Sequence, residues 1–327
     1  MQNDYVLRVL KVNSLFVRHG FLIVTLWIVA SPSLMAGARP ATEDAACDDV
    51  SIKWKSNQSN ITEREVNFYL FDASDLGCLT LVTKLLESGA SVKAKDRAGN
   101  TAFMLSARKG HRQVTELLYK RRSDPHSQNL LGSNALIMAA AHNRYKSVSQ
   151  LLNIGIDANL SDGKALSPLI VAAYNGNLRI VDLLLEAGAD SMTIDVTGKN
   201  AMVYASARGY LNIVQRLWES TEKPDPNTRY GNDLTVLMWA AGHGNDVPPP
   251  DGIAVAKYLI SVGANPRLTD NRGKSAMHIA AERGHHQIVH LLLRTGADSN
   301  SPDNNGDTPL ALASTQSVRD VLLSADD

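Results

Sequence analysis

The fold of this chain is decided by Ser167-Pro-Leu-Ile-Val-Ala-Ala173 and, shortly after it, Val181-Asp-Leu-Leu-Leu-Glu-Ala-Gly-Ala-Asp190. A serine hydroxyl can cap a helix, and the proline that follows suits the first helical turn, which has no use for its missing amide. The two adjacent alanines allow neighbouring helices to approach closely. Gly188 stands where a second helix ends, because a left-handed residue is favoured there. Together the two stretches predict a helix–turn–helix unit.

The same pattern recurs along the chain at a nearly constant period. A third motif, Asp-x-x-Gly, lies before several of the capping positions and predicts a projecting turn. A fixed period of about 33 residues is the signature of a stacked repeat architecture. The equivalent short polar residues follow one another at steps of 33, 33, 33, 35, 40 and 33: Thr101, Asn134, Ser167, Asn200, Thr235, Ser275 and Thr308.

These motifs resemble the ankyrin repeat, whose consensus reads D-x-x-G-x-T-P-L-H-x-A-A-x-x-G-H before a second helix that ends in L-L-x-x-G-A-D. The resemblance covers residues 63–327. It implies an all-α solenoid of about seven helix–turn–helix units with β-hairpin fingers. Divergence in the first and last units fits a capping role, because terminal repeats turn one face to water. The units are placed at 63–95, 96–128, 129–161, 162–194, 195–229, 230–269 and 270–302, with a partial C-terminal cap at 303–327.

The sixth unit carries an insertion, Asn245-Asp-Val-Pro-Pro-Pro-Asp-Gly252. Its three prolines predict a stiff projection in the polyproline II conformation. The Gly-His-x-Asn-Asp-Val-Pro sequence at 242–248 is similar to inserts that we associate with exported bacterial ankyrin proteins.

Residues 1–38 have the features of a secretory signal peptide. A basic segment with Arg8, Lys11 and Arg18 precedes ten uncharged residues, 21–30, and Ala36-Gly-Ala38 offers a cleavage site. We therefore expect a periplasmic or secreted protein. Two alternatives stay open: the segment is an uncleaved membrane anchor, or translation starts at Met35 and the protein is cytosolic.

Residues 39–62 are polar and lack a helical period, which predicts a linker before the repeats. This segment contains Cys47, and the other cysteine of the chain is Cys78. In an oxidising compartment the two thiols can pair and join the linker to the first unit. The alternative is two unrelated thiols.

Composition and motifs argue against several function classes. Lys and Arg together number 33, as do Asp and Glu, so the chain lacks the cationic surplus of a general nucleic-acid binder. The sequence contains no phosphate-binding glycine loop, no zinc-type cysteine cluster and no Gly-x-Ser-x-Gly elbow. His286 and His290 are spaced to share a metal, but no His-Glu-x-x-His motif accompanies them. We predict no catalysis, no cofactor and no metal.

The predicted activity is protein binding by a monomer, through the concave face and the finger tips that ankyrin arrays present. Tyr174, Arg208 and Tyr230 are the preferred centre, because Tyr and Arg are enriched at binding hot spots. Tyr204 and Trp239 stand where Leu is usual and are assigned to the core. A secreted effector or a toxin-neutralising protein is the alternative function. The further binding residues are Arg108, Lys109, Asn175, Arg272 and Arg283, within a wider set of Arg97, Asn100, Leu130, Leu131, His142, Lys199, Arg229, His243, Asn271, Lys274 and Glu282.

Overall fold

The computed structural model describes residues 43–58, 61–222, 224–244 and 249–324. The predicted signal peptide lies outside the described residues. Within them, no helix combines the length and the apolar character that a membrane span requires.

The described residues form an array of antiparallel helix pairs that follows the sequence period. Short first helices pack on the first helices of neighbouring units, and second helices pack on second helices. Helix α1, Glu43–Asn57, precedes the array. The pairs are α2 Glu63–Leu76 with α3 Leu79–Glu87, α4 Ala102–Lys109 with α5 Arg112–Lys120, α6 Ala135–Ala141 with α7 Tyr145–Asn153, α8 Pro168–Tyr174 with α9 Leu178–Glu186, α10 Ala201–Ala207 with α11 Leu211–Ser220, α12 Val236–Ala241 with α13 Pro249–Ser261, α14 Ala276–Arg283 with α15 His286–Arg294, and α16 Pro309–Leu312 with α17 Gln316–Leu323. The all-α solenoid is confirmed.

The recurring polar residues cap the first helices as expected. Thr101, for example, accepts a hydrogen bond from the backbone amide of Met104, and Ser167 accepts one from Ile170. Capping of this kind satisfies one of the amides that have no partner inside the helix.

One leucine from the second helix of each of the first seven pairs forms the spine of the core. These leucines are fully buried, and burial of each side chain stabilises the array by roughly 1.5–3 kcal/mol. The paired alanines of the first helices are also buried, which allows the close approach that the sequence predicted. The spine consists of Leu85, Leu118, Leu151, Leu184, Leu217, Leu259 and Leu292.

The fingers between units are tight turns, and the prediction of β-hairpins is not confirmed. In the described residues, β pairing is limited to isolated bridges, Tyr230 with Leu234 and Thr269 with Ser275. The side chain of the turn aspartate instead accepts hydrogen bonds from backbone amides within the finger. Asp195, for example, accepts from the amides of Thr197 and Lys199. Adjacent fingers are nevertheless joined by backbone hydrogen bonds, such as the one from the Gly231 amide to the Gly198 carbonyl oxygen at 3.0 Å.

The N-terminal segment differs from the predicted linker, because Glu43–Asn57 is helical. Helix α1 packs on α2, and Trp54 is 4% exposed. The structure also joins Cys47 of this helix to Cys78 by a disulfide. The helix is polar over most of its length, so its sequence shows little of the periodicity that reveals an amphipathic helix.

The proline-rich insertion also differs from expectation where the structure describes it. Pro249 begins helix α13, so the last two prolines lie in the first helical turn, where proline is tolerated, and do not extend a polyproline II projection. Residues 245–248 lie outside the described residues.

Candidate protein-binding surface

Three aromatic rings and two cations form a continuous row across the fourth, fifth and sixth units. The Tyr174 and Tyr204 rings meet edge to face, with centroids 5.6 Å apart. The Arg208 guanidinium lies 4.9 Å from the Tyr174 centroid. The Lys199 ammonium lies 4.9 Å from the Trp239 centroid and 5.8 Å from that of Tyr204. We call these five residues the aromatic–cation row.

The row is held in place by short elements with defined ends. Tyr174 is the last residue of α8, and Arg208 is the C-cap of α10. Tyr204 and Trp239 occupy the same position in α10 and α12, four residues after the N-caps Asn200 and Thr235. Because the capped helices are packed against one another, the rings are presented on a rigid support.

Tyr204 is fixed by its hydroxyl as well as by its ring. The hydroxyl donates to Oδ2 of Asp195 at 2.5 Å, and the Asp195 side chain is buried in the turn of the fifth unit. Burial, together with this hydrogen bond to a carboxylate, raises the pKa of the Tyr204 phenol, which stays protonated at any physiological pH. The ring therefore serves as a neutral platform.

The assignment of Tyr204 and Trp239 to the core is wrong in part. Both rings pack against the core, yet both remain half-buried and contribute to the row. The aliphatic residues at the same position differ in burial: Leu105 and Ile279 are 5% and 3% exposed, whereas Val171 is half-buried. The feature of the sequence that could have indicated the row is the presence of these two large aromatic residues at equivalent positions, near Lys199 and Arg208.

Of the three predicted central residues, Tyr174 and Arg208 are brought together, and Tyr230 has a different role. Tyr230 replaces the turn aspartate of the sixth unit, and its hydroxyl accepts a hydrogen bond from the Asn200 side chain at 3.1 Å. Burial raises the pKa of this phenol. Tyr230 thus connects its finger to the cap of α10, next to Lys199.

Arg108 and Lys109 bridge to the neighbouring unit. Both cations contact Asp75, with nitrogen–oxygen distances of 2.6 Å and 3.5 Å. This pairing directs their charge toward the first unit and away from the row.

The remaining predicted residues also make contacts within the array. Asn175 donates from its side chain to the Ala141 carbonyl oxygen at 3.1 Å, which ties the fourth unit to the third. Arg272 forms an ion pair with Asp270 of its own finger at 2.6 Å. Arg283 is exposed at the end of α14.

His286 and His290 lie exposed on α15, in an open groove that Lys257 and Arg294 also line. Two cationic side chains in the same groove disfavour a metal cation. Over the part of the chain that the structure describes, no group of three or more His, Cys, Asp or Glu side chains is arranged to hold a metal.

Comparison with known proteins agrees with the fold. The family model of ankyrin repeats matches residues 70–162, 148–230 and 251–326. The chain is 37% identical over 92 residues to an ankyrin-repeat protein of Acanthamoeba polyphaga mimivirus, which is 28% of this chain and 12% of the relative. It is 36% identical over 72 residues to the mouse B-cell lymphoma 3 protein homolog, covering 22% and 16% of the two chains.

A third relative, the mouse neurogenic locus notch homolog protein 1, is 35% identical over 109 residues, or 30% of this chain and 4% of the relative. The similarity to these three proteins therefore spans a small part of each of them and shows a shared repeat, not a shared activity. With the family model matching well over half of its length, the chain belongs to the ankyrin-repeat family.

Proposed function

We propose that the protein is a non-catalytic binding module that holds a protein partner outside the cytoplasm, with the aromatic–cation row at the centre of the interface. Ankyrin repeats are in general protein–protein interaction modules. The row is the observation that carries the proposal, because half-buried Tyr, Trp and Arg side chains on a rigid support are the residue types that dominate binding energy.

Two features support the location outside the cytoplasm. The sequence of residues 1–38 has the secretory pattern. In addition, Cys47 and Cys78 are joined by a disulfide, a bond that persists in oxidising compartments and is rare in the cytosol.

The binding proposal is tested by a pull-down with the full chain, tagged at its C-terminus and produced in its native cells. One variant combines Arg208→Ala with Trp239→Ala in the row. The matched control combines Arg216→Ala with Trp218→Ala on α11, where Trp218 packs against Tyr258. Thermal unfolding first establishes that both variants fold.

We expect one protein to be recovered with the wild type and the α11 variant and lost with the row variant. Equal recovery with the row variant would contradict the assigned surface, and recovery of no specific protein would contradict the binding function. Cell fractionation with thiol labelling tests the location: cytosolic protein with reactive Cys47 and Cys78 would contradict it.

A further inference from the structure

We infer that a groove along α15 is a second interaction surface, which binds an acidic segment of a protein partner. The α15 groove is the space between Lys257 of α13, the outer side of α15 from His286 to Arg294, and Val321 of α17. It lies on second helices, whereas the aromatic–cation row lies on first helices and fingers. The inference therefore does not depend on the row.

The rim of the α15 groove is basic, and no acidic side chain lines it. Among the described residues, no carboxylate lies within salt-bridge distance of Lys257 or Arg294. Neither charge is neutralised by the described part of the chain, so both can pair with carboxylates of a partner. The exposed side chains of the rim are Lys257, His286, His290 and Arg294.

The acids near the α15 groove face other partners. In α13, α15, α17 and the loop 295–300, the described acids are Asp251, Asp298 and Asp320, and none of them lines the groove. Asp251 lines a separate depression beside α11. Asp298 accepts a hydrogen bond from the backbone amide of Asn300 at 2.9 Å, and Asp320 accepts one from the Gln316 side chain at 2.7 Å.

The charge on the outer side of the second helices changes sign along the array. The position two residues before each spine leucine is acidic in the second and fourth units, and each of these acids pairs with a cation of this chain, at 2.6 Å and 2.8 Å. The same position is basic in the sixth and seventh units, which form the α15 groove. From the first to the seventh unit the residues are Thr83, Glu116, Ser149, Asp182, Gln215, Lys257 and His290.

The floor of the α15 groove is apolar and consists of the half-buried side chains of Ile253, Leu291 and Val321. The groove has a volume of about 670 Å³. Helix α15 has nine residues and is therefore about 13 Å long. An extended segment covers this length with about four residues. The complementary ligand is a short segment with acidic side chains for the rim and apolar side chains for the floor.

Other anions are less complementary to the α15 groove. Single-stranded nucleic acids gain affinity by stacking their bases on aromatic side chains, and no Phe, Tyr or Trp lines the groove. A phosphate ion or a lipid headgroup would pair with the rim and leave the apolar floor uncovered. A peptide segment uses both parts of the groove.

The test begins with a selection of displayed random 12-residue peptides on the full, disulfide-bonded chain. The affinities of the selected peptides are then measured for the wild type and for a groove variant, Lys257→Glu with Arg294→Glu. The charge-matched control is Arg121→Glu with Lys146→Glu, which reverses two exposed cations in the second and third units. Thermal unfolding first establishes that both variants fold.

We expect the selection to yield acidic peptides with apolar residues that bind the wild type and the control equally. The groove variant should bind them at least about tenfold more weakly, the change that corresponds to 1.4 kcal/mol. Acidic peptides that bind the groove variant as well as the wild type would overturn the assigned site. A selection without acidic peptides would overturn the acidic specificity.

A second measurement does not depend on the folding of any variant. A carbodiimide joins a lysine amine directly to a carboxylate that contacts it, and mass spectrometry identifies the lysine. We expect a selected acidic peptide to be joined to Lys257 of the wild type. Coupling to other lysines without Lys257 would overturn the inference.

Two further results separate this inference from other readings of the surface. Tighter binding of a single-stranded oligonucleotide, or of phosphatidylserine vesicles, than of the acidic peptides would overturn it in favour of another anion. Failure of the α15 groove to bind peptide would leave the proposed function standing, because the pull-down with the row variant decides that function separately.

Discussion

Lys199 and Trp239 belong to neighbouring units, and the lysine ammonium lies 4.9 Å from the centroid of the indole ring. Lys199 precedes the N-cap of α10, whereas Trp239 lies inside α12. The contact therefore joins two repeats on the surface, above the leucine spine that joins them in the core. These two side chains can therefore be substituted to test their part in binding without removing the leucine spine below them.

Trp239→Leu is expected to weaken binding while leaving the fold in place. Leucine is the residue that occurs at the equivalent position of the second unit, Leu105, so the helix packing is retained. Loss of the ring should lower the affinity for the partner by tenfold or more, as truncation of a central aromatic does. Binding and thermal unfolding are measured together. Trp218→Leu on α11 is the matched control, and an equal loss of affinity in that variant would contradict the location of the site.

Tyr204→Phe should lower the free energy of unfolding by about 1–2 kcal/mol, because a hydrogen bond to the buried Asp195 carboxylate is lost. The ring contact with Tyr174 is kept. Thermal unfolding detects the change, and a denaturant titration gives its size. Unchanged stability in Tyr204→Phe would mean that the hydroxyl does not contribute to the position of the ring.

Cys47→Ser should destabilise the N-terminal end of the array. The disulfide closes a loop between residues 31 positions apart, for which the chain-entropy model gives about 3–4 kcal/mol. Hydrogen exchange should rise first in α1, where Trp54 holds the helix to α2. Reduction of the wild type should reproduce the effect, and reduction of the Cys47→Ser variant should add nothing. Exchange that rises evenly along the array would contradict the local role of the bond.

Stability is expected to fall as the pH drops below about 6.5, the range in which an unfolded histidine becomes protonated. Burial lowers the pKa of His142, His278 and His285, so these rings bind protons less readily in the folded chain than in the unfolded chain. A lowered folded pKa means that the stabilisation is complete above the unfolded pKa and is lost on acidification. Thermal unfolding at pH 7.5, 6.5 and 5.5 measures the trend. A melting temperature that rises on acidification over this range would contradict it.

Gly231→Ala should loosen the contact between the fifth and sixth fingers. A methyl group at this position would clash with the carbonyl oxygen of Thr197, so the finger must shift and the bond from the Gly231 amide to Gly198 is strained. We expect a loss of about 2 kcal/mol, typical of an overpacked contact. Gly163→Ala is the comparison, since its nearest neighbour, the Leu131 carbonyl oxygen, is 3.0 Å from the added carbon. A larger loss for Gly163→Ala would contradict this assignment.

The repeat architecture could be predicted because the residues that begin and end each helix lie within the same unit as that helix. Thr101 and Ser167 cap helices through contacts three residues away, and Gly188 adopts the left-handed conformation that ends a second helix. Local contacts of this kind depend on nearby sequence alone. Because the same motifs recur about every 33 residues, the prediction of a helix pair is made independently for each unit, and the repeat architecture follows.

The features that could not be predicted depend on contacts between distant residues. Helix α1 is polar along most of its length, and its position depends on Trp54 and on the bond from Cys47 to Cys78. Whether Tyr204 reaches the surface depends on how closely two neighbouring units approach, which one unit does not encode. The contact between Arg208 and Tyr174 could be predicted from the sequence, because both residues occupy helix-end positions of adjacent units. The hydrogen bond from Asn200 to Tyr230 could not be predicted in this way.

The disulfide at one end of the array determines the order in which the helix pairs are expected to unfold. Each unit of a solenoid is supported by its two neighbours, so loss of structure starts at an end and advances unit by unit. The disulfide between Cys47 and Cys78 holds the first unit covalently. The last described pair begins with the four-residue helix Pro309–Leu312 and contains no disulfide. We therefore expect unfolding under heat or under a pulling force to proceed from the pair α16–α17 toward the disulfide, so that the row in the middle is kept until the last two helix pairs have unfolded.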